Sequence, residues 1–269
     1  MVKKLFKHEI LAYLRMLLPV YIILCGIALM SRILLFFENT NSIYNIIFGS
    51  SVAIYVVSII AALILTMIFM VVRFYKNMFS AEGYLTHTLP ITANQHIFVK
   101  LATAILFQFI TIITVLISVA IITSGEFLSE IFKAASYLYN KFSEFLSPHL
   151  IFYIIEFALM LTAALIAETL LFYAVISVGQ LSRKNRVVAS IGVYFAYYII
   201  TQIIGTVFVV VVSKLAETEI VAKITTFIEN NPFKTIPIGF IGRIIFYALL
   251  SAAYYFIASF MIRKKLNLE

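Results

Sequence analysis

Six long apolar stretches constrain the fold of this chain more than any other feature. Each has about 20 residues or more, enough to cross the roughly 30 Å hydrocarbon core of a bilayer as a helix. A backbone inside lipid must pair its own N–H and C=O groups, and a single stretch does this only as an α-helix. The sequence therefore predicts an all-α polytopic membrane protein with six transmembrane helices. The predicted spans are Met16–Phe37, Ser50–Val72, Leu101–Thr123, Leu150–Val178, Val188–Val212 and Ile244–Ile262.

Composition leaves no room for a soluble domain. The 269 residues are 63% hydrophobic and only 12% charged, about half the charged fraction of a typical globular domain. We therefore expect a single transmembrane domain over residues 1–269. Cys25 is the only cysteine, which excludes an intrachain disulfide. The first span is long and lacks a small-residue cleavage pattern, so we expect it to be retained rather than removed as a signal peptide.

The basic residues predict the orientation of the chain. Lys and Arg concentrate on the cytoplasmic side of membrane proteins. Thirteen of the 20 Lys and Arg residues fall at the two termini, in the loop between spans 2 and 3, and in the loop between spans 4 and 5. We therefore expect both termini in the cytoplasm. Membrane topology explains the excess of basic residues, so no nucleic-acid partner is needed to account for it. The excess also suits contact with anionic membrane lipid.

Residues 1–15 precede the first span and have the pattern of an amphipathic helix. This pattern predicts a helix that lies in the inner membrane interface. Glu9 falls on the apolar face, which weakens that interpretation. A basic anchor that only sets the topology explains the charges equally well. The apolar stripe comprises Val2, Phe6, Ile10, Tyr13 and Leu17.

The longest inner loop, residues 73–100, contains the polar stretch SAEGYLTHTLPITANQ. Pro90 disfavours helix at the residue before it, so we expect a break there. Thr92 and Gln95 have the spacing of a capping box, which predicts the start of the helix that enters the third span. The expected shape is a helix, an elbow and a second helix, close to the membrane.

Two outer segments, 124–149 and 213–243, also have helical character. In the first, apolar residues recur at every third or fourth position with charged residues between them, which predicts an amphipathic helix. The second contains Pro232 and Pro237, where we expect the helix to break before the sixth span.

Motifs for enzyme chemistry are absent from the sequence. There is no G-x-x-x-x-G-K-[ST] loop to bind nucleotide phosphates, no H-E-x-x-H metal motif and no G-x-S-x-G nucleophile motif. The four histidines are scattered along the chain, and no cysteine pair accompanies them. We therefore expect no catalytic residue, no metal site and no cofactor in this chain.

Two carboxylates, Glu156 and Glu168, lie inside the fourth predicted span. A charge at mid-membrane is costly, so such a group normally faces a cavity or a partner. One interpretation is that they line a translocation path or relay protons. The other is that each is a protonated or hydrogen-bonded group that holds helices or subunits together. Twelve residues separate them, which turns them about 120° apart on an ideal helix.

The inner loop carries a resemblance to a known family. The residues Arg73-Phe74-Tyr75-Lys76, Glu82-Gly83-Tyr84-Leu85, Thr88-Leu89-Pro90-Ile91-Thr92 and Lys100-Leu101 resemble the compact six-span permease subunits of bacterial ABC exporters of the type-2 class. At the level of motifs the resemblance covers about 30 residues. As architecture it covers most of the chain.

That resemblance implies a permease in the bacterial plasma membrane that pairs with a second, identical chain and with two copies of a separate ABC ATPase. The ATPase would bind the ATP and Mg²⁺. The loop between spans 2 and 3 would carry the coupling helix, with Glu82, Gly83, Tyr84 and Leu85 in contact with the ATPase. Related permeases export amphipathic or hydrophobic peptides or antibiotics. Without the resemblance, an ordinary polar loop is the simpler interpretation.

Two other functions stay open on the sequence alone. The chain could be a proton-coupled secondary transporter or channel that uses Glu168 as its proton site. It could also be a membrane immunity or scaffold protein that transports nothing.

Overall fold

A computed structural model describes residues 2–37, 42–80, 83, 92–123, 126–141, 150–182, 185–215, 223, 226 and 232–264. Within these residues the chain forms seven long helices and no strand. The helices are α1 (Val2–Phe36), α2 (Ser42–Phe79), α3 (Ala93–Ile122), α4 (Glu126–Lys141), α5 (Leu150–Gly179), α6 (Arg186–Leu215) and α7 (Pro232–Lys264).

Every helix except α4 is long and apolar enough to cross a membrane, which gives six spans within the described residues. This confirms the predicted class: the chain is an all-α, multi-pass membrane protein. The amphipathic helix expected in segment 124–149 is also present as α4, which has 16 residues. Residues 142–149 of that segment lie outside the described residues.

The helices extend well beyond the predicted spans. Helix α2 has 38 residues, a length of about 57 Å at 1.5 Å per residue, against a hydrocarbon core of roughly 30 Å. Since α2 ends at Phe79 and α3 begins at Ala93, the connection is only residues 80–92, half of the predicted loop 73–100. Hydropathy detects only the part of a helix that lies in lipid. The backbone hydrogen bonds of the helix continue past that part, so the observed helices are longer than the predicted spans.

The N-terminal segment and the first span form one helix. Helix α1 is continuous from Val2 to Phe36 and runs through Pro19, so no turn separates residues 2–15 from the first span. The position of this segment in the membrane interface stays a prediction. The apolar face of α1 packs on protein: Tyr13 and Leu17 are buried before Pro19, and Leu24 and Ala28 are buried after it. Packing on both sides holds the helix together where proline removes one backbone hydrogen bond.

The break predicted at Pro237 is absent, whereas the one predicted at Pro232 coincides with the start of a helix. Pro232 is the first residue of α7, where its missing N–H has no helical partner to lose. Pro237 lies in the second turn, and the helix continues through it to Lys264. With α6 ending at Leu215, much of the predicted outer segment 213–243 is therefore helix.

The contacts divide the chain into two compact units, Met1–Lys141 and Phe142–Glu269. The single transmembrane domain over residues 1–269 stays a prediction. The first unit contains α1, α2, α3 and α4. In it, α1 packs against both α2 and α3. The ring of Tyr13 stacks on Phe107 of α3 and meets Phe69 of α2 edge-on, with both ring centroids 4.9 Å away.

Buried hydroxyl groups also connect the three spans of the first unit. The hydroxyl of Tyr21 is 2.7 Å from that of Thr111, which is 3.0 Å from that of Thr66. Nearer the other end, the Tyr55 and Ser118 hydroxyls are 2.8 Å apart. Each group gains a hydrogen bond that surrounding lipid or apolar side chains cannot provide.

The second unit contains α5, α6 and α7. Helix α5 packs mainly against α7, and the hydroxyls of Tyr197 on α6 and Tyr254 on α7 are 2.7 Å apart. The end of α5 approaches the start of α6 very closely at Gly179. A Cβ at Gly179 would lie 2.6 Å from both the Cα and the backbone nitrogen of Ser190, so only glycine fits this crossing.

We predict that Gly179→Ala lowers the thermal stability of the protein, since the added methyl would overlap the backbone of Ser190 and cost roughly 1–3 kcal/mol. Gly192→Ala on α6 is the matched control, because nothing lies within 4 Å of its added methyl. That change should be neutral or stabilising by up to about 1 kcal/mol. The melting temperatures of the two variants are compared in detergent, with unfolding monitored by far-UV circular dichroism. Equal melting temperatures would contradict the close approach of Gly179 to Ser190.

Candidate functional site

A buried ion cluster lies where α1, α2 and α3 meet in the first unit. The Glu9 carboxylate accepts hydrogen bonds from Arg73 Nε at 2.7 Å, from Asn77 Nδ2 at 2.9 Å and from Lys100 Nζ at 2.8 Å. We call these four residues the Glu9 cluster. One carboxylate thus binds side chains from two other helices.

Burial makes these contacts stronger than surface ion pairs. The side chain of Glu9 is 3% exposed and that of Lys100 is 4% exposed, whereas that of Arg73 is 26% exposed. Lone charges at such burial would be costly, and a paired, hydrogen-bonded arrangement offsets most of that cost. Both carboxylate oxygens of Glu9 are used, so it can serve two cations at once.

The cluster joins both ends of the 80–92 connection to α1. Arg73 and Asn77 lie in the last two turns of α2, just before the connection begins. Lys100 lies two turns into α3, just after the connection ends. A displacement of residues 80–92 would therefore reach α1 through ion pairs as well as through apolar packing.

The start of α3 is well defined. Thr92 N donates to Gln95 Oε1 at 3.1 Å, and Gln95 N donates to Thr92 Oγ1 at 3.4 Å. This confirms the capping box predicted from the sequence. Because it satisfies backbone groups that the first turn leaves unpaired, α3 begins at a defined residue beside the connection.

Of the four predicted coupling residues, Gly83 lies within the described residues. It is buried in a helical conformation, and its backbone N–H donates to the Ser80 carbonyl oxygen at 2.7 Å. Glu82, Tyr84 and Leu85 lie outside the described residues, so their contact with a partner stays a prediction.

The two predicted translocation-path residues both lie on α5. Glu156 is half-buried, and its Oε2 atom is buried with no hydrogen-bond partner in the described part of the chain. Glu168 is exposed. Their separation along the helix is about 18 Å, so they do not form one acid pair, as the sequence predicts.

Sequence reasoning missed the Glu9 cluster, although a signal for it was present. A carboxylate on the apolar face of an amphipathic helix needs a cation once that face is buried. On the sequence alone, Glu9 weakens the prediction of an interfacial helix. In the structure, Glu9 marks the place where α1 packs on protein. In the sequence, Arg73 and Lys100 contribute only to the predicted topology and to the family resemblance.

The cluster has the chemistry of a structural connection, since both oxygens of its carboxylate accept hydrogen bonds from Arg73, Asn77 and Lys100. The described residues also contain no group of three His, Cys, Asp or Glu side chains that could bind a metal ion. Comparisons of the chain with protein-family models, with curated proteins and with solved structures find no match.

We predict that Glu9→Gln destabilises the protein by about 3–5 kcal/mol, because it leaves two cations without their carboxylate. Lys100→Met should cost less, since Glu9 keeps Arg73 and Asn77 as partners. The melting temperatures of both variants are measured in detergent, with unfolding monitored by the reaction of Cys25 with a thiol-reactive dye.

The control for this series is Glu130→Gln, which removes an exposed carboxylate from α4. It should leave the melting temperature unchanged. If Glu9→Gln unfolds at the same temperature as Glu130→Gln, the cluster does not stabilise the first unit.

Proposed function

We propose that this chain is the permease subunit of an ATP-binding cassette exporter, moved by a separate ATPase that binds residues 80–92. The proposal draws on the six spans and on the resemblance of the inner loop to type-2 permeases. The observation that carries it is the Glu9 cluster, which connects both helices flanking that loop to a third helix.

The cluster suits the transmission of rigid-body motion. A short segment joined at both ends to packed helices moves them as a unit when a partner displaces it, whereas a loose loop absorbs the displacement itself. Arg73 and Lys100 sit within about two turns of the connection, and both bind the same carboxylate. Force on residues 80–92 would therefore be shared by α1, α2 and α3.

In this proposal the complete exporter has two copies of the permease and two of the ATPase. It lies in a bacterial plasma membrane, with both permease termini in the cytoplasm. Glu82, Gly83, Tyr84 and Leu85 contact the ATPase, which binds ATP and Mg²⁺. The cargo is an amphipathic or hydrophobic peptide or antibiotic, and Glu168 and Glu156 are candidates for its path.

We predict that the tagged chain, purified from its native host in mild detergent, retains an ATPase subunit. Tyr84→Ala and Leu85→Ala should lose that subunit, because both remove apolar area from the proposed contact. Tyr137→Ala removes an exposed tyrosine ring from α4, outside the 80–92 connection, and should retain the ATPase subunit. Quantitative mass spectrometry of the purified complexes measures the ratio.

Lys100→Met separates coupling from docking, since Lys100 lies on α3 outside the 80–92 connection and its loss leaves Glu9 with Arg73 and Asn77 as partners. We expect this variant to retain the ATPase but to export less cargo per ATP hydrolysed. The proposal fails if the purified chain alone pumps cargo uphill in liposomes. Flux that a pH gradient drives, and that Glu168→Gln abolishes, would point instead to a secondary transporter.

A further inference from the structure

A half-open groove lies between α1 and α2, beside the Glu9 cluster. Its volume is about 290 Å³, close to the lower limit for small-molecule sites. The lining combines cationic, amide and apolar side chains. The lining residues are Ala12, Arg15, Met16, Phe69, Val72, Arg73, Lys76 and Asn77. We call this feature the Arg15 groove.

The groove has three cations in its lining and no carboxylate. Arg15 and Lys76 are exposed, and no hydrogen bond from either side chain to another described residue is present. Arg73 donates to Glu9 only through Nε, which leaves its two terminal nitrogens without a partner among the described residues. Like charges so close together favour a bound anion.

The apolar half of the groove continues onto an exposed apolar surface of the two helices. Met16 and Val72 in the lining are 58% and 39% exposed. On α2, Ile68 and Leu65 follow Val72 on the same helical face and are 51% and 43% exposed. On α1, Ile23 follows Met16 two turns further and is 60% exposed. The exposed apolar side chains Met16, Ile23, Val72, Ile68 and Leu65 thus form a track along the spans, and cationic side chains lie at one end of it. We call it the apolar track.

We propose that the Arg15 groove binds the headgroup of an anionic phospholipid, with the acyl chains along the apolar track. Basic pockets at the ends of membrane helices are suited to anionic lipid headgroups. The volume admits a headgroup and excludes the acyl chains, for which the exposed apolar side chains provide a surface. A free anion would match the cations but would leave the apolar track unused. The proposal does not depend on the exporter function.

Arg73 gives the groove a consequence for the Glu9 cluster. Its Nε binds Glu9, and its terminal nitrogens are available to a headgroup phosphate. The guanidinium has five N–H donors in a fixed geometry, so it can serve a carboxylate and a phosphate together. Bound anionic lipid would then stabilise the contact between α1 and α2.

The test titrates phosphatidylglycerol into micelles that contain the purified full-length chain and follows its melting temperature. Phosphatidylcholine and inorganic phosphate serve as separate arms. We expect phosphatidylglycerol alone to raise the melting temperature. The double variant Arg15→Gln/Lys76→Gln should weaken the apparent affinity for phosphatidylglycerol by about tenfold or more, since each cation contributes near a lipid headgroup.

The matched control is Lys3→Gln/Lys4→Gln, which removes the same charge from exposed positions on α1 outside the groove. It should leave the affinity within about twofold of the unmodified chain, because a remote exposed charge is largely screened. An equal loss in both double variants would mean general surface attraction and would overturn the proposal. So would a full effect of inorganic phosphate, or no loss in Arg15→Gln/Lys76→Gln.

Discussion

One carboxylate organises the first half of this protein. Glu9 on α1 is buried, and its charge would be very costly there without partners. Arg73 and Lys100 supply them from two other helices, at 2.7 and 2.8 Å. Because ion pairs at this burial tolerate little displacement, the relative positions of α1, α2 and α3 are fixed near the 80–92 connection.

The same unit contains hydrogen bonds at several depths of its three spans. Beyond the Glu9 cluster, Tyr21, Thr111 and Thr66 form a chain of hydroxyls, and Tyr55 pairs with Ser118 further along. Polar contacts in an apolar surrounding are directional, so they specify helix register in a way that apolar packing alone does not. These contacts make the first unit suited to moving as one body.

Arg73 connects the proposed functions of this region. It belongs to the Glu9 cluster, which joins the ends of the 80–92 connection to α1, and it lines the Arg15 groove, where we place an anionic lipid headgroup. A mechanical role and a lipid site at one guanidinium are compatible, since its Nε binds Glu9 and its terminal nitrogens stay available to a headgroup. The lipid environment could thereby influence how firmly the first unit is assembled.

The sequence alone determined the six spans, helix α4 and the capping box of Thr92 and Gln95, because apolar runs, helical periodicity and capping act within a few residues. The partners of Glu9 needed the tertiary structure, since Arg73 and Lys100 are 64 and 91 residues away along the chain. Periodicity tells which face of a helix is apolar, but not whether lipid or protein covers it. For the same reason a local proline rule failed at Pro237, and the close crossing of Gly179 and Ser190 could not be foreseen.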